Sequence, residues 1–120
     1  MKRLLGFITM VLIMSSVVEG QAVTRLLYFS LKHADESMEA KAFFEKITVL
    51  KDIPVVKEFE LTRVRSKKME YDYCLRLAFE NQAGADTYSN HPIHNQYVKD
   101  EWRPNVAQGL LVDHIEIGDD

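Results

Sequence analysis

Tyr71-Asp-Tyr73-Cys-Leu-Arg-Leu-Ala-Phe79 is the clearest period-two stretch in the chain: Tyr71, Tyr73, Leu75, Leu77 and Phe79 alternate with Asp72, Cys74, Arg76 and Ala78. Successive strand side chains point to opposite faces, so this pattern predicts a strand with one apolar side against the core. Upstream, the polar loop Ser66–Glu70 separates it from Val56–Val64, a second strand of less regular alternation. Downstream, Asn81 is placed to cap a short helix that runs to about Asn90, where Pro92 stops it. Pro92 then fits the first turn of another short helix, through Tyr97 and Val98 to about Trp102. Leu110–Ile117 reads as the last strand, and 118–120 as a polar tail.

Towards the N-terminus, Val23–Lys32 is rich in β-branched, aromatic and leucine residues and reads as the first strand. Arg25, Leu27, Phe29 and Leu31 share one face; Leu26, Tyr28 and Ser30 share the other. Both faces are largely apolar, so both sides are expected to be covered. Asp35 or Ser37 can cap the helix that follows. There Ala40, Phe43, Ile47 and Leu50 recur at helical spacing, Phe44 widens the stripe, and Pro54 ends the element. The order strand, helix, strand, strand, helix, strand most simply makes an α+β, ferredoxin-like βαββαβ protomer. It has one four-stranded antiparallel sheet with its helices on one face. The helix-free face of strand one is still apolar, and a second copy stacked sheet to sheet would cover it. The pattern thus predicts a homodimer, a dimeric α+β barrel built from residues 23–117.

The first residues read differently. Lys2 and Arg3 precede an uncharged run from Leu4 to Val18, with small residues around Gly20 and Ala22. That is the layout of a secretory signal peptide over residues 1–20, with the cut after Gly20 or as late as Ala22. The run is shorter than the ~20 residues a spanning helix needs. Its removal leaves 13 basic and 17 acidic residues of the original 15 and 18, and a mature chain of net charge −4. A secreted or periplasmic protein is expected. The acidic balance without a basic cluster argues against nucleic acid, and against a membrane surface once the signal is gone. Cys74, the sole cysteine, cannot form an internal disulfide. It alternates opposite the tyrosines of its strand and is expected to be buried or at the dimer face, without reactivity.

The densest polar and aromatic cluster is Tyr88-Ser-Asn-His91-Pro-Ile-His94-Asn-Gln-Tyr97. With Pro92 opening a helix, His91 falls near its N-cap and His94 in its first turn. The helix dipole there lowers an imidazole pKa, which suits a general base at neutral pH. Tyr88 lies one turn before the break, where its hydroxyl could orient a carbonyl or phenolate. The alternative is structural: His91 as a cap, with Tyr88 and Tyr97 filling the core. Two histidines three apart suggest a metal pair, but His33, Asp113 and His114 stand at no recognisable ligand spacing, and no metal is expected. His94 with Trp102 is a weak basis for haem, and no cofactor is expected. Arg25 is the odd residue of its apolar face. It can pair with a carboxylate of the protein, reach solvent at the strand end, or hold an acidic ligand.

The run Tyr71–Glu80, followed by Tyr88-Ser-Asn-His91-Pro-Ile-His94, resembles the signature of the stress-responsive dimeric α/β-barrel (Dabb) family. Leu111-Val112-Asp113 looks like that family's closing strand, and Val23–Lys32 with Ile53-Pro54 like its opening. Val55 stands where the family usually has glycine, and His114 where it has an aromatic residue. The resemblance implies a ferredoxin-like protomer that pairs through its sheets. It also implies that a minority branch, which cyclises polyketides by an aldol step, uses residues matching Tyr88 and His94; a further strand-one histidine of that branch falls where this chain has Arg25. On pattern and resemblance together, Leu27, Phe29, Phe43, Ile47, Tyr88 and His94 would line an apolar ligand pocket between sheet and helices, with Arg25 at one end. The expected function is an exported protein that binds an unidentified small apolar or weakly acidic molecule. The alternatives are an aldol-type enzyme using Tyr88 and His94 as tentative catalytic residues, a haem-binding monooxygenase-like barrel, and a purely structural dimer.

Overall fold

The computed structural model describes residues 20–118. The expected signal segment, apart from Gly20, and residues 119–120 of the tail lie outside them. The described residues form four strands and three α-helices of six residues or more, in the order β1 Val23–Leu31, α1 Met38–Lys46, β2 Glu58–Arg63, β3 Tyr73–Phe79, α2 Gln82–Asn90, α3 Pro92–Tyr97 and β4 Val106–His114, with shorter helical turns between them. The strands form one antiparallel sheet in the order β2-β3-β1-β4. This is the ferredoxin-like arrangement that the order of elements predicts.

Local chemistry sets the helix starts. The Ser37 hydroxyl accepts from the Ala40 amide at 3.1 Å, and Asn81 Oδ1 accepts from the Gly84 amide at 2.9 Å, each satisfying an amide that a helix start would otherwise leave free. His91 caps α3 with its ring: Nδ1 accepts from the Ile93 amide at 3.1 Å, and Pro92 occupies the first turn.

Three boundaries differ from the sequence reading. The first helix ends at Lys46 and tightens into a 3-10 turn over Ile47–Asp52; the apolar stripe through Leu50 is kept, because Ile47 and Leu50 are both buried. The helix after Pro92 does not run on uniformly: a π-helical turn spans Val98–Trp102, and a short turn Arg103–Asn105 leads into β4. The last strand begins four residues earlier than Leu110 and ends at His114. Val-Ala-Gln-Gly has no apolar alternation, but on the sheet edge it needs only its backbone to pair with β1.

Helices cover one face of the sheet. Phe29 at its centre touches Phe43 (ring centroids 5.8 Å), Tyr73 (5.5 Å) and Trp102 (5.0 Å). With Leu75, Leu77, Phe79, Ile47 and Ile53 these rings form the core. Each large side chain so buried contributes ~1.5–3 kcal/mol. The register places Leu26 and Tyr28 of β1, Cys74 and Ala78 of β3, and Leu110 and Val112 of β4 on the opposite, helix-free face. Within one protomer, therefore, only one side of β1 lies under helices.

Candidate functional site

Between the β1–β4 side of the sheet and the α2–α3 corner lies a cavity of about 180 Å³. Leu27, Leu75 and Leu111 reach it from three strands, and Leu50 closes it from the 3-10 turn. Tyr88 comes from the last turn of α2, His94 and Tyr97 from α3, and Val98 and Trp102 from the π-helical turn. The kink at Pro92 is what brings Tyr88 and His94 together: their ring centroids are 4.8 Å apart at 58°.

Electrostatics make this a neutral, hydrogen-bonding site. Burial pushes the Tyr88 phenol well above its ordinary pKa, so it is a proton donor throughout the neutral range. Burial also lowers the His94 pKa, with the Arg25 charge adding to the effect and the contact to Asn95 opposing it. His94 Nδ1 lies 3.3 Å from Asn95 Oδ1. A neutral imidazole beside a protonated phenol can take a proton from carbon or oxygen while the phenol holds an adjacent oxygen.

Arg25 does not serve the cavity. Its Nε donates to Asp113 Oδ1 at 2.8 Å, its Nη2 to Asp113 Oδ2 at 3.0 Å, and its Nη1 to the Ser89 hydroxyl at 2.9 Å. Of the three partners open to it in the sequence, the protein carboxylate is the one it takes. The hydrogen bonds from Arg25 hold the Asp113 carboxyl below its ordinary pKa. The other expected lining residues divide. Leu27, Tyr88 and His94 face the cavity, whereas Phe29, Phe43 and Ile47, all at most 1% exposed, are consumed by core packing and do not line it. The sequence reading did not name Leu50, Leu75 and Leu111 as lining residues, nor Tyr97, Val98 and Trp102. The spacing of His94 and Tyr97, three apart on one helix face, was the available signal for Tyr97; the π-helical turn that carries Val98 and Trp102 leaves no sequence signature.

A larger open groove of about 810 Å³ runs between α1 with its 3-10 turn and α3, bordered by charged side chains such as Glu45, Lys51 and Asp100. It contains none of the paired groups just described. Among the described residues no three His, Cys, Asp or Glu side chains gather to hold a metal ion.

A sheet of this order with its cavity under the helices defines the ferredoxin-like α+β barrels. More narrowly, the chain belongs to the stress-responsive A/B barrel domain family, whose model matches residues 23–116. Among solved structures it is similar to a Dabb family protein with a ferredoxin-like fold from Mesorhizobium loti, with 33% identity, a TM-score of 0.80, and coverage of 82% of this chain and 99% of that one. A hydroxynitrile lyase from Passiflora edulis shares the fold at 15% identity and TM-score 0.69, covering 84% of this chain and 97% of that one. So does a dimeric protein of unknown function from Bacteroides fragilis, at 17% identity and TM-score 0.63, with 79% and 96% covered. No curated protein matches the chain significantly.

Proposed function

We propose that this protein is exported, forms a homodimer through its helix-free sheet face, and binds a small, uncharged, mainly apolar molecule in the cavity beside Tyr88 and His94. The observation that carries this reading is the cavity itself: a mainly apolar space walled by leucines, valine and tryptophan, with Tyr88, His94 and Tyr97 the lining residues that carry polar groups. Such a space with a few convergent polar groups is the usual form of a ligand site. The weakly acidic ligand loses its support, because Arg25 is already neutralised by Asp113.

A second reading is favoured by the Tyr88–His94 contact: proton abstraction next to a carbonyl, as an aldol-type enzyme requires. The strand-one position offers no further base, since a guanidinium stays protonated at neutral pH. The two readings separate with β-dicarbonyl substrates such as acetylacetone or a linear triketide analogue. A binding protein shows no turnover in any variant, and His94→Ala or Tyr88→Phe changes affinity by ~0.5–1.5 kcal/mol. Turnover by the wild type that falls ~10²–10⁴-fold in His94→Ala establishes the enzyme instead. Export rests on residues 1–20 alone. N-terminal sequencing of secreted protein is expected to begin at Gln21 or Val23, and a mature chain that starts at Met1 contradicts it.

A further inference from the structure

Two walls of the cavity, Val98 and Trp102, stand on the π-helical turn. The Arg103 amide closes that turn by donating to the Val98 carbonyl, five residues back. Such a winding is rare beside the α-helical one. Pro104, just past the turn, brings no amide N–H, so carbonyls at this end need donors from elsewhere.

Asn105 supplies one. Its side-chain Nδ2 donates to the Glu101 carbonyl at 2.7 Å. With the amide nitrogen so engaged, Oδ1 is left as the acceptor for His33, whose Nε2 lies 2.7 Å away and carries the proton it donates. The backbone carbonyl of Asn105 accepts from the Lys32 amide at 2.8 Å. Asn105 is thereby fastened twice to the chain just past β1 and once to the π-helical turn. A second tether, the Lys46–Glu101 ion pair at 3.6 Å, has its lysine 59% exposed and contributes little. At the far end of the turn the Trp102 ring lies 5.0 Å from that of Phe29, and its Cζ2 would stand 3.6 Å from a Cβ placed on Gly109 of β4. A change in the winding of the turn would carry this ring away from the sheet and remove one wall of the cavity.

We infer that Asn105 is the positioning residue of this cavity: held by His33, it clamps the Glu101 carbonyl and so keeps Val98 and Trp102 where a ligand packs against them. The clamp acts on affinity through population. If the turn leaves this winding for part of the time, apparent affinity falls by the fraction of molecules that keep it. The assignment rests on the cavity being the ligand site.

Trp102 is the sole tryptophan of the chain, so its fluorescence reports the turn directly. Acrylamide quenching of Trp102 is measured in the wild type, Asn105→Leu, His33→Leu and His33→Gln. Beside it, calorimetry follows the binding of acetophenone, an uncharged ring with a short substituent. Asn105→Leu keeps the bulk and loses both side-chain bonds; below its melting temperature it is expected to raise quenching about threefold and weaken acetophenone about tenfold. His33→Leu should move both readings the same way by about twofold to threefold. His33→Gln, whose amide nitrogen can stand where Nε2 does, should restore both to the wild-type values. A lower melting temperature with quenching and affinity unchanged overturns the inference and makes Asn105 a purely structural residue. A loss of affinity without a change in Trp102 quenching overturns it too, as does His33→Gln behaving like His33→Leu. Should Asn105→Leu fail to fold, the two His33 variants decide alone. Acetophenone that does not bind the wild type, or that binds equally to Val98→Phe, in which a ring fills the cavity, overturns the cavity reading and this inference with it. Binding lost in Val98→Phe but kept in full by Asn105→Leu refutes the role of Asn105 alone.

Discussion

At position 25 a guanidinium interrupts an apolar strand face, and Asp113 answers it from directly across the β1–β4 pair. The Arg25 side chain is 9% exposed and that of Asp113 33%, so the arginine depends on the pair more than the aspartate does. Asp113→Ala is therefore expected to destabilise the fold by ~2–3 kcal/mol in urea unfolding, below the full cost of breaking a deeply buried pair because water still reaches this one. The double variant Arg25→Leu/Asp113→Leu should recover most of that loss, and a double variant no more stable than Asp113→Ala would contradict the account. His94 gives a pH dependence. Its pKa is lowered by burial, so the unfolded chain takes up a proton first as pH falls. Stability should decline below the ordinary histidine value of ~6.5 until the folded-state pKa is passed, and His94→Gln should flatten that decline between pH 7.5 and 5. An unchanged slope would place the His94 ring in water. Part of this scale was legible: of the residues that pattern and family resemblance together pointed to, Leu27, Tyr88 and His94 line the cavity. The Asp113 partner was not, because 88 residues separate it from Arg25 and only the strand register joins them.

The helix starts were the most readable elements, because a cap is a local bargain between one side chain and one amide. Ser37, Asn81 and His91 each do what their positions before a helical run imply. Two elements were less readable. The edge strand β4 pairs on one side only, so its first residues need no apolar alternation, and Gln108 and Gly109 disguise it. The π-helical turn at Val98–Trp102 inserts a wider loop of backbone that follows from tertiary packing: Trp102 lies on both Phe29 and Phe43, at 5.0 and 6.1 Å between centroids. The His91 cap has a direct test. His91→Ala should lose ~1 kcal/mol by thermal or urea unfolding, whereas His91→Asn, a better capping residue, should lose little or none. Equal losses in both variants would mean that the ring matters for packing and not for the amide of Ile93.

For the whole molecule, the exposed apolar edge is what calls for a second copy. Leu110 is 46% exposed in the protomer, beside Leu26, Tyr28 and Val112 on the same helix-free face. An apolar sheet face of this kind left in water favours association. Light scattering should give twice the protomer mass at micromolar concentration, and Val112→Glu, which places a charge on the helix-free face opposite Leu26, should halve it without unfolding the chain. A wild-type monomer would contradict the proposed dimer. The central claim is that the cavity holds a small neutral molecule, and mass spectrometry of small molecules retained by the purified protein tests it most directly. The account predicts an uncharged, mainly apolar compound that accompanies the wild type and is absent from Val98→Phe prepared in parallel. The same compounds retained equally by both proteins, or an organic anion retained through Arg25 and lost in Arg25→Leu, would contradict it.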